Sequence, residues 1–368
     1  MQDSKHYTKQ HQTPYLLVDL ASVDAAYARF CHELPTVQIH YAMKCNPHPD
    51  ILRRLHSRGC RFEIASYTEL KALLAIGVDP SEVLFSNPVK SPGDIRQAFR
   101  AGVQRFAFDS LAEIDKLVAH ATGSSVYVRV KTTPHHSLVP SEGKFGVDAT
   151  HARSLLLAAR DAGLVPYGIA FHVGSQMLDP EQWQTAIMQC AGLMRELQTV
   201  GITIQMLDIG GGFPAHHGDA APGLGAYATI ITKSLKSLPY KVAITAEPGR
   251  ALVGDAGIMV SQVIGVAARG NTQWVHLDVG AFNGMMEALE SQNKLLFPLQ
   301  DSKNNPVKRP FAITGPSCDS QDTILYDAPL SANIAVGDIV YLHTAGAYTT
   351  SYASTFNGFR IPKTYCIN

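Results

Sequence analysis

From about Val37 to Glu247 the chain repeats a two-part pattern, a short β-rich apolar run followed by an amphipathic stretch with apolar residues three and four apart. Apolar runs joined by helices are how a parallel sheet with crossover connections is written. The runs are VQIHYAM (37 to 43), RFEIA (61 to 65), VLFS (83 to 86), RFAFD (105 to 109), SVYVRVK (125 to 131), PYGIAFH (166 to 172), ITIQMLDIG (202 to 210) and KVAITAE (241 to 247). Between them lie stretches such as DILRRLHSRG, SYTELKALLAIG and EQWQTAIMQCAGLMRELQTVG, several closing on glycine, a helix stop. Eight such units predict a (β/α)8 barrel of the TIM type, an α/β fold, with SVDAAYARFCHEL ahead of the first strand joining the outer ring. An open doubly wound sheet is the competing arrangement.

After Gly254 the pattern changes to β-rich runs without long crossover helices, among them GIMVSQVIGVAARG, TQWVHLDVG, RPFAITG and GDIVYLHTAG. These predict an antiparallel β domain, to which the N-terminal PYLLVD adds a strand. The expected division is therefore residues 1–20 with 255–368 as the β domain and 21–254 as the barrel, which suits 368 residues. With 46% hydrophobic and 17% charged residues the composition excludes disorder. Thirty-one basic and 31 acidic side chains cancel, leaving no global field to draw nucleic acid or anionic lipid; a small molecule is the expected partner. No apolar run approaches the ~20 residues of a membrane span, and MQDSKHYTKQHQTP lacks a signal peptide's apolar segment, so a cytoplasmic protein is expected. Cys31, Cys45, Cys60, Cys190, Cys318 and Cys366 form neither CxxC pairs nor a disulfide framework.

Barrel active sites are built at the C-terminal ends of the strands, and the residues leaving these runs are polar. The first run delivers Lys44 and the second Glu63, with Glu69 just beyond. The fifth carries Arg129, and the sixth ends in His172 and Ser175. The seventh ends in Asp208 and Gly210, Gly211 and Gly212, the eighth in Glu247, Gly249 and Arg250. Alone, a rim lysine is also a surface charge, and GGG is also a tight turn. Together, glycines whose backbone N–H groups approach an anion and an adjacent loop bearing Gly249 and Arg250 form a phosphate site after strands seven and eight. A phosphate site, an amine, a carboxylate and an imidazole suit pyridoxal 5′-phosphate (PLP), which needs a lysine, a partner for its pyridine nitrogen, a phosphate cup and a flat group against its ring.

In order along the chain, YAMKCNP, FEIASYTEL, FHVGSQ, LDIGGGFP, AEPGR, GPSCDSQD and GAYTTSYASTFNGF resemble the PLP-dependent basic amino acid decarboxylases of the alanine-racemase-like barrel fold, most closely the ornithine decarboxylases. The resemblance spans nearly the whole chain. It implies a head-to-tail homodimer with two sites, each completed by loops of the partner. By resemblance Lys44 is the Schiff-base lysine, Glu247 faces the pyridine nitrogen, and His172 stacks on the ring. Gly211, Gly212, Gly249, Arg250, Ser175 and Tyr348 hold the phosphate, while Glu63, Glu69 and Arg129 form a second polar layer. Cys318 handles the departing carboxylate and reprotonates the α-carbon, and Asp319 accepts the substrate's distal ammonium.

Asp319 after Cys318 sets the chain apart from diaminopimelate decarboxylases, which carry glutamate there. In DVGAFNGMMEALES (278 to 291) Glu287 resembles the bacterial form of the segment that reads chain length, making it a candidate substrate residue. Ornithine is the first expected substrate, lysine the second, and a larger ornithine-like or siderophore-pathway amine the third. A racemase needs a second base that GPSCDSQD does not supply, and a non-catalytic regulatory homologue would have lost residues kept here. The pairs His135–His136 and His216–His217 lack a carboxylate at ligand spacing, so no metal is expected. Lys144 in EGKFG lies away from a strand end and is no rival to Lys44.

Overall fold

The computed structural model describes residues 11–132, 137–139, 143–218 and 221–368, and the chain divides into two compact units. One holds Asp24–Pro214 and Pro222–Gly249. The other holds the described residues up to Val23, Ala215–Ala221 and Arg250–Asn368. Relative to the expected division, residues 21–23, the segment around His216 and the stretch from Arg250 to Gly254 fall in the second unit. The physical reason is visible: Asp255 accepts the His216 N–H at 2.9 Å, and Thr344 Oγ1 donates to the His216 carbonyl at 2.9 Å.

The strands run β1 (Tyr15–Asp19), β2 (Val37–Ala42), β3 (Arg61–Ile64), β4 (Leu84–Phe85), β5 (Arg105–Phe108), β6 (Ser125–Val130), β7 (Ser137–Val139), β8 (Val165–Phe171), β9 (Ser175–Met177), β10 (Met206–Asp208) and β11 (Ala243–Ala246). In the first unit β2, β3, β4, β5, β6, β8, β10 and β11 close into a barrel, every neighbour parallel, with β11 meeting β2 through Ile244 and Val37. The doubly wound alternative is thereby excluded. Strands β7 and β9 form a separate antiparallel pair. The seventh run pairs only over Met206–Asp208, the stretch that overlaps both β8 and the short β11.

Helices follow the strands, and their starts are written locally. Ser66, Ser91, Ser110 and Asp148 each accept the backbone N–H three residues on, a cap worth about 1 kcal/mol apiece. The helix Glu181–Gln198 buries Trp183, Ile187, Cys190, Met194 and Leu197 at helical spacing, and Trp183 Nε1 donates to the Ile209 carbonyl at 3.1 Å. That bond ties an outer helix to the loop leaving β10.

Period-two alternation decides what the barrel's axis sees. Leu84, Ala107, Tyr127, Ala170 and Met206 form one buried interior cluster, contributed by five different strands. Two residues further along each of those strands stand Ser86, Asp109, Arg129, His172 and Asp208. An apolar layer is thus capped, at the C-terminal end, by a polar one.

In the second unit β12 (Gly257–Arg269), β13 (Thr272–Leu277), β14 (Leu299–Asp301), β15 (Lys308–Thr314), β16 (Thr323–Ser331), β17 (Ile339–Leu342) and β18 (Lys363–Ile367) join β1 in one sheet of order β14-β17-β12-β13-β15-β16, with β1 pairing β12 and β18. The sheet is mixed, a correction to the expected antiparallel domain: β1 lies parallel to β18, and β13 parallel to β15. Parallel neighbours need long connections, and both pairs have them. Tyr15, Leu17, Val260 and Tyr341 form its buried apolar cluster.

Candidate active site

Strand β2 gives way to one turn of 3-10 helix over Met43–Cys45, which carries Lys44 to the barrel's C-terminal end. The Lys44 side chain is about half exposed, and its Nζ lies 2.9 Å from Oε1 of Glu63, a buried residue on β3. Glu69 serves its helix directly: its Oε2 accepts the Ala65 N–H at 2.5 Å while Ser66 Oγ accepts the Glu69 N–H at 3.2 Å, close to a capping box. Burial, then the Glu63 charge, push the Glu69 carboxyl up to about 7.

Glu247, at the end of β11, is partly exposed, whereas Asp208 beside it is fully buried. Ser86 Oγ donates to Glu247 Oε1 and itself lies 2.8 Å from the Tyr127 hydroxyl. Asp208 Oδ1 accepts the Gly210 N–H at 2.8 Å, and no N–H or O–H group faces its Oδ2. Burial, then the Glu247 charge, lift the Asp208 carboxyl far above the ordinary range, and burial with the Glu63 charge raises Glu247 as well. Two adjoining carboxylates disfavour each other's ionisation. The hydrogen bond between the two raises Asp208 and lowers Glu247, so Asp208 is the more strongly raised of the pair. Lys44 and Arg129 then balance Glu63 and Glu247. Arg129 also faces the Phe145 ring, Cζ 5.3 Å from its centroid.

His172 accepts the Gly211 N–H on Nδ1 at 3.3 Å, which places its proton on Nε2. Surrounding protein atoms, then the positive charges of Arg129 and Lys44, lower its pKa to about 3. It is neutral at physiological pH.

The glycines after β10 are required by their neighbours. A Cβ on Gly210 would sit 2.1 Å from the Phe171 carbonyl oxygen, on Gly211 2.4 Å from that of Glu247, and on Gly212 2.3 Å from that of Gly174. Gly249 has Cys45 Sγ 3.1 Å from where its Cβ would be. The tight-turn reading and the cradle reading therefore describe the same backbone: loops packed this closely present N–H groups with no side chain between them. Ser175 starts β9, its carbonyl accepting Ser137 Oγ at 2.7 Å.

In the second unit Arg250 opens the short helix Arg250–Val253 and meets Glu287 in a two-pronged ion pair, both side chains buried. Nη1 donates to Oε2 at 2.7 Å and Nη2 to Oε1. The Tyr348 ring covers the guanidinium at 5.0 Å. Glu287, expected at the substrate, has its carboxylate taken up by arginine. Cys318 is exposed, as is Asp319, on the loop joining β15 to β16. The buried Asp322 holds that loop, accepting the N–H groups of Ala281 at 2.7 Å and Ser317 at 2.9 Å.

The paired histidines diverge as adjacent residues do. His216 Nδ1 lies 2.5 Å from Asp255 Oδ2, a carboxylate distant in sequence, while the His217 ring turns inward to Arg250. His135 and His136 lie outside the described residues. Lys144 is exposed, its Nζ 5.2 Å from the Phe145 centroid.

Sequence reasoning passed over Ser86, Tyr127 and Asp322, and gave Asp208 no role. Tyr127 had a signal, being two residues before Arg129 on the same strand face.

A parallel eight-stranded barrel with an amine, a partly exposed carboxylate and a neutral imidazole at its C-terminal end defines the barrel class that uses PLP. Residues 20–254 match the pyridoxal-dependent decarboxylase, pyridoxal binding domain, family. The chain belongs to the PLP-dependent decarboxylases of that family. It is 37% identical over 365 residues to the lysine/ornithine decarboxylase of Selenomonas ruminantium, covering 98% of this chain and 91% of that one. It is 32% identical to ornithine decarboxylase 2 of Drosophila melanogaster, covering 95% and 90%. A solved structure of a lysine/ornithine decarboxylase from Vibrio vulnificus complexed with cadaverine superposes with a TM-score of 0.91 at 31% identity, covering 99% of this chain and 97% of that one.

The cofactor is PLP, and the residues present fit it. Lys44 offers a half-exposed amine beside a carboxylate, Glu247 a partly exposed carboxyl beside Asp208, and the glycine loops a backbone surface free of side chains.

Proposed function

We propose that this PLP-dependent decarboxylase converts L-ornithine to putrescine, a step of polyamine synthesis, and L-lysine to cadaverine more slowly. The observation that carries the reading is the Cys318–Asp319 pair, exposed on a loop that Asp322 has already ordered. It offers a thiol proton and a carboxylate together, which suits removal of carbon dioxide from an amino acid with a distal ammonium.

When bound, PLP supplies the electron sink for the pair left as the α-carboxylate departs. Lys44 Nζ is the amine offered to the cofactor aldehyde, and Glu63 Oε1 stands ready to hold the proton that amine must lose. Glu247 would hold the proton of the pyridine nitrogen, with Ser86 Oγ donating to its Oε1 and Asp208 beside it. His172, neutral with its proton on Nε2, would lie against the ring without opposing the ring's positive charge. Gly211, Gly212, Gly249, Ser175, Arg250 and Tyr348 are the proposed phosphate ligands. Cys318 Sγ delivers a proton to the α-carbon, and Asp319 receives the distal ammonium through a charge-assisted hydrogen bond worth ~1.5 to 3 kcal/mol.

The working form we propose is a homodimer in which each chain's Cys318 loop serves the partner. Among the described residues no helix is long and apolar enough to cross a membrane. A cytoplasmic setting, which keeps the Cys318 thiol reduced, suits the chemistry. The test is carbon dioxide release from L-ornithine, L-lysine, L-arginine and diaminopimelate. Ornithine leads with lysine behind it, a graded difference because one methylene is worth only ~1 to 3 kcal/mol. Diaminopimelate is rejected, its second carboxylate meeting Asp319 as a like charge. Diaminopimelate or arginine as the best substrate overturns the reading.

A further inference from the structure

We propose that Glu287 is a positioning residue for Arg250, orienting the guanidinium that meets the cofactor phosphate, and not a reader of the substrate's distal amine. The proposal rests on Arg250 being a phosphate ligand. Its geometry is specific. Both Glu287 oxygens are engaged by one guanidinium, Oε2 by Nη1 at 2.7 Å and Oε1 by Nη2, with the two side chains 4% and 3% exposed. A carboxylate paired this way and shielded from water has little charge left for an ammonium.

The rest of the surroundings fix the plane of the fork. The Tyr348 ring covers one face, its centroid 5.0 Å from Cζ, and His217 Nε2 lies 3.4 Å from Nη1. His217 is itself set edge-on to Phe297, ring centroids 5.1 Å apart. The backbone carrying Glu287 is equally constrained: Met285 N–H donates to the Gly280 carbonyl at 2.9 Å, and Ser291 N–H to that of Glu287 at 3.0 Å. A planar, five-donor cation held along one edge and over one face has its plane fixed before any anion arrives, which is what phosphate recognition needs. Chain-length preference then belongs to other residues, Asp319 first among them.

The test compares wild type with Glu287→Gln, which keeps the shape and one acceptor but loses the charge. Holoenzyme is stripped of PLP and titrated back, following the absorbance of bound cofactor, and kcat/KM for L-ornithine and L-lysine is measured at saturating PLP. PLP binding should weaken by about tenfold or more, while the ornithine-to-lysine ratio stays within about twofold of wild type. PLP affinity within about twofold of wild type, or a ratio moved by about fivefold or more, overturns the proposal. If Glu287→Gln does not fold, Glu287→Asp keeps the charge on a shorter arm, and the same two criteria apply with a smaller loss of PLP affinity. Should wild type turn over neither diamine, the substrate reading fails alone, because the PLP titration still reports on Arg250 and Glu287.

Discussion

The proposed role of Glu247 at the pyridine nitrogen rests on its charge. Glu247→Gln preserves shape while removing the anion, so decarboxylation should slow by roughly two to three orders of magnitude, with PLP still fixed on Lys44 by borohydride and found there by peptide mapping. Near-normal turnover would remove Glu247 from the pyridine nitrogen. Glu69 makes a thermodynamic prediction. Its folded pKa, about 7, lies above the ordinary glutamate value of 4.5, so between those values the folded chain binds more proton than the unfolded one and stability falls as pH rises. Glu69→Gln should lack that fall, which amounts to up to about 3 kcal/mol, in urea melts at pH 4.5 and pH 7.5. Equal pH slopes in the two proteins would contradict it. Lys44, His172 and Glu247 were legible because each leaves an apolar run at its polar end. The juxtaposition of Asp208 and Glu247 was not, since 208 and 247 become neighbours only when β10 pairs with β11.

The elements most exposed to small changes are the turns after the strands. Gly211→Ala would force a methyl to within 2.4 Å of the Glu247 carbonyl oxygen, so the β10 and β11 turns must part. Overpacking of that kind costs about 1 to 3 kcal/mol, and here it also disturbs the N–H that sets the His172 tautomer. A lower melting temperature together with less retained PLP is expected; a variant indistinguishable from wild type in both would show that the turn has slack. Strand identity was readable from apolar runs and helix starts from Ser and Asp caps. Strand direction in the second unit was not: β13 and β15 look alike whichever way they pair, and only the long connection from Asp278 to Val307 permits the parallel choice.

At the scale of the molecule, the proposed dimer makes a quantitative prediction. Mixing inactive Lys44→Ala with inactive Cys318→Ala protein should restore activity, because a mixed dimer contains one site with both residues intact. With free exchange half the dimers are mixed and one site in two works, so recovery approaches roughly a quarter of wild type. No recovery, with exchange shown independently, would mean each chain builds its own site. The barrel could be read from one uninterrupted stretch of sequence, whereas the interleaving of the second unit depends on contacts between distant residues. The placement of β1 has a consequence for the order of events during synthesis. Its neighbours are β12, which begins at Gly257, and β18, which ends at Ile367. A ribosome adding about 5 to 20 residues each second leaves Tyr15–Asp19 without β12 for roughly ten to fifty seconds, and without β18 for longer. Throughout that interval an apolar strand keeps two bare edges, while the barrel can close behind it. Slowing elongation should therefore burden this protein through its first strand, and a chaperone that shields YLLVD should relieve it.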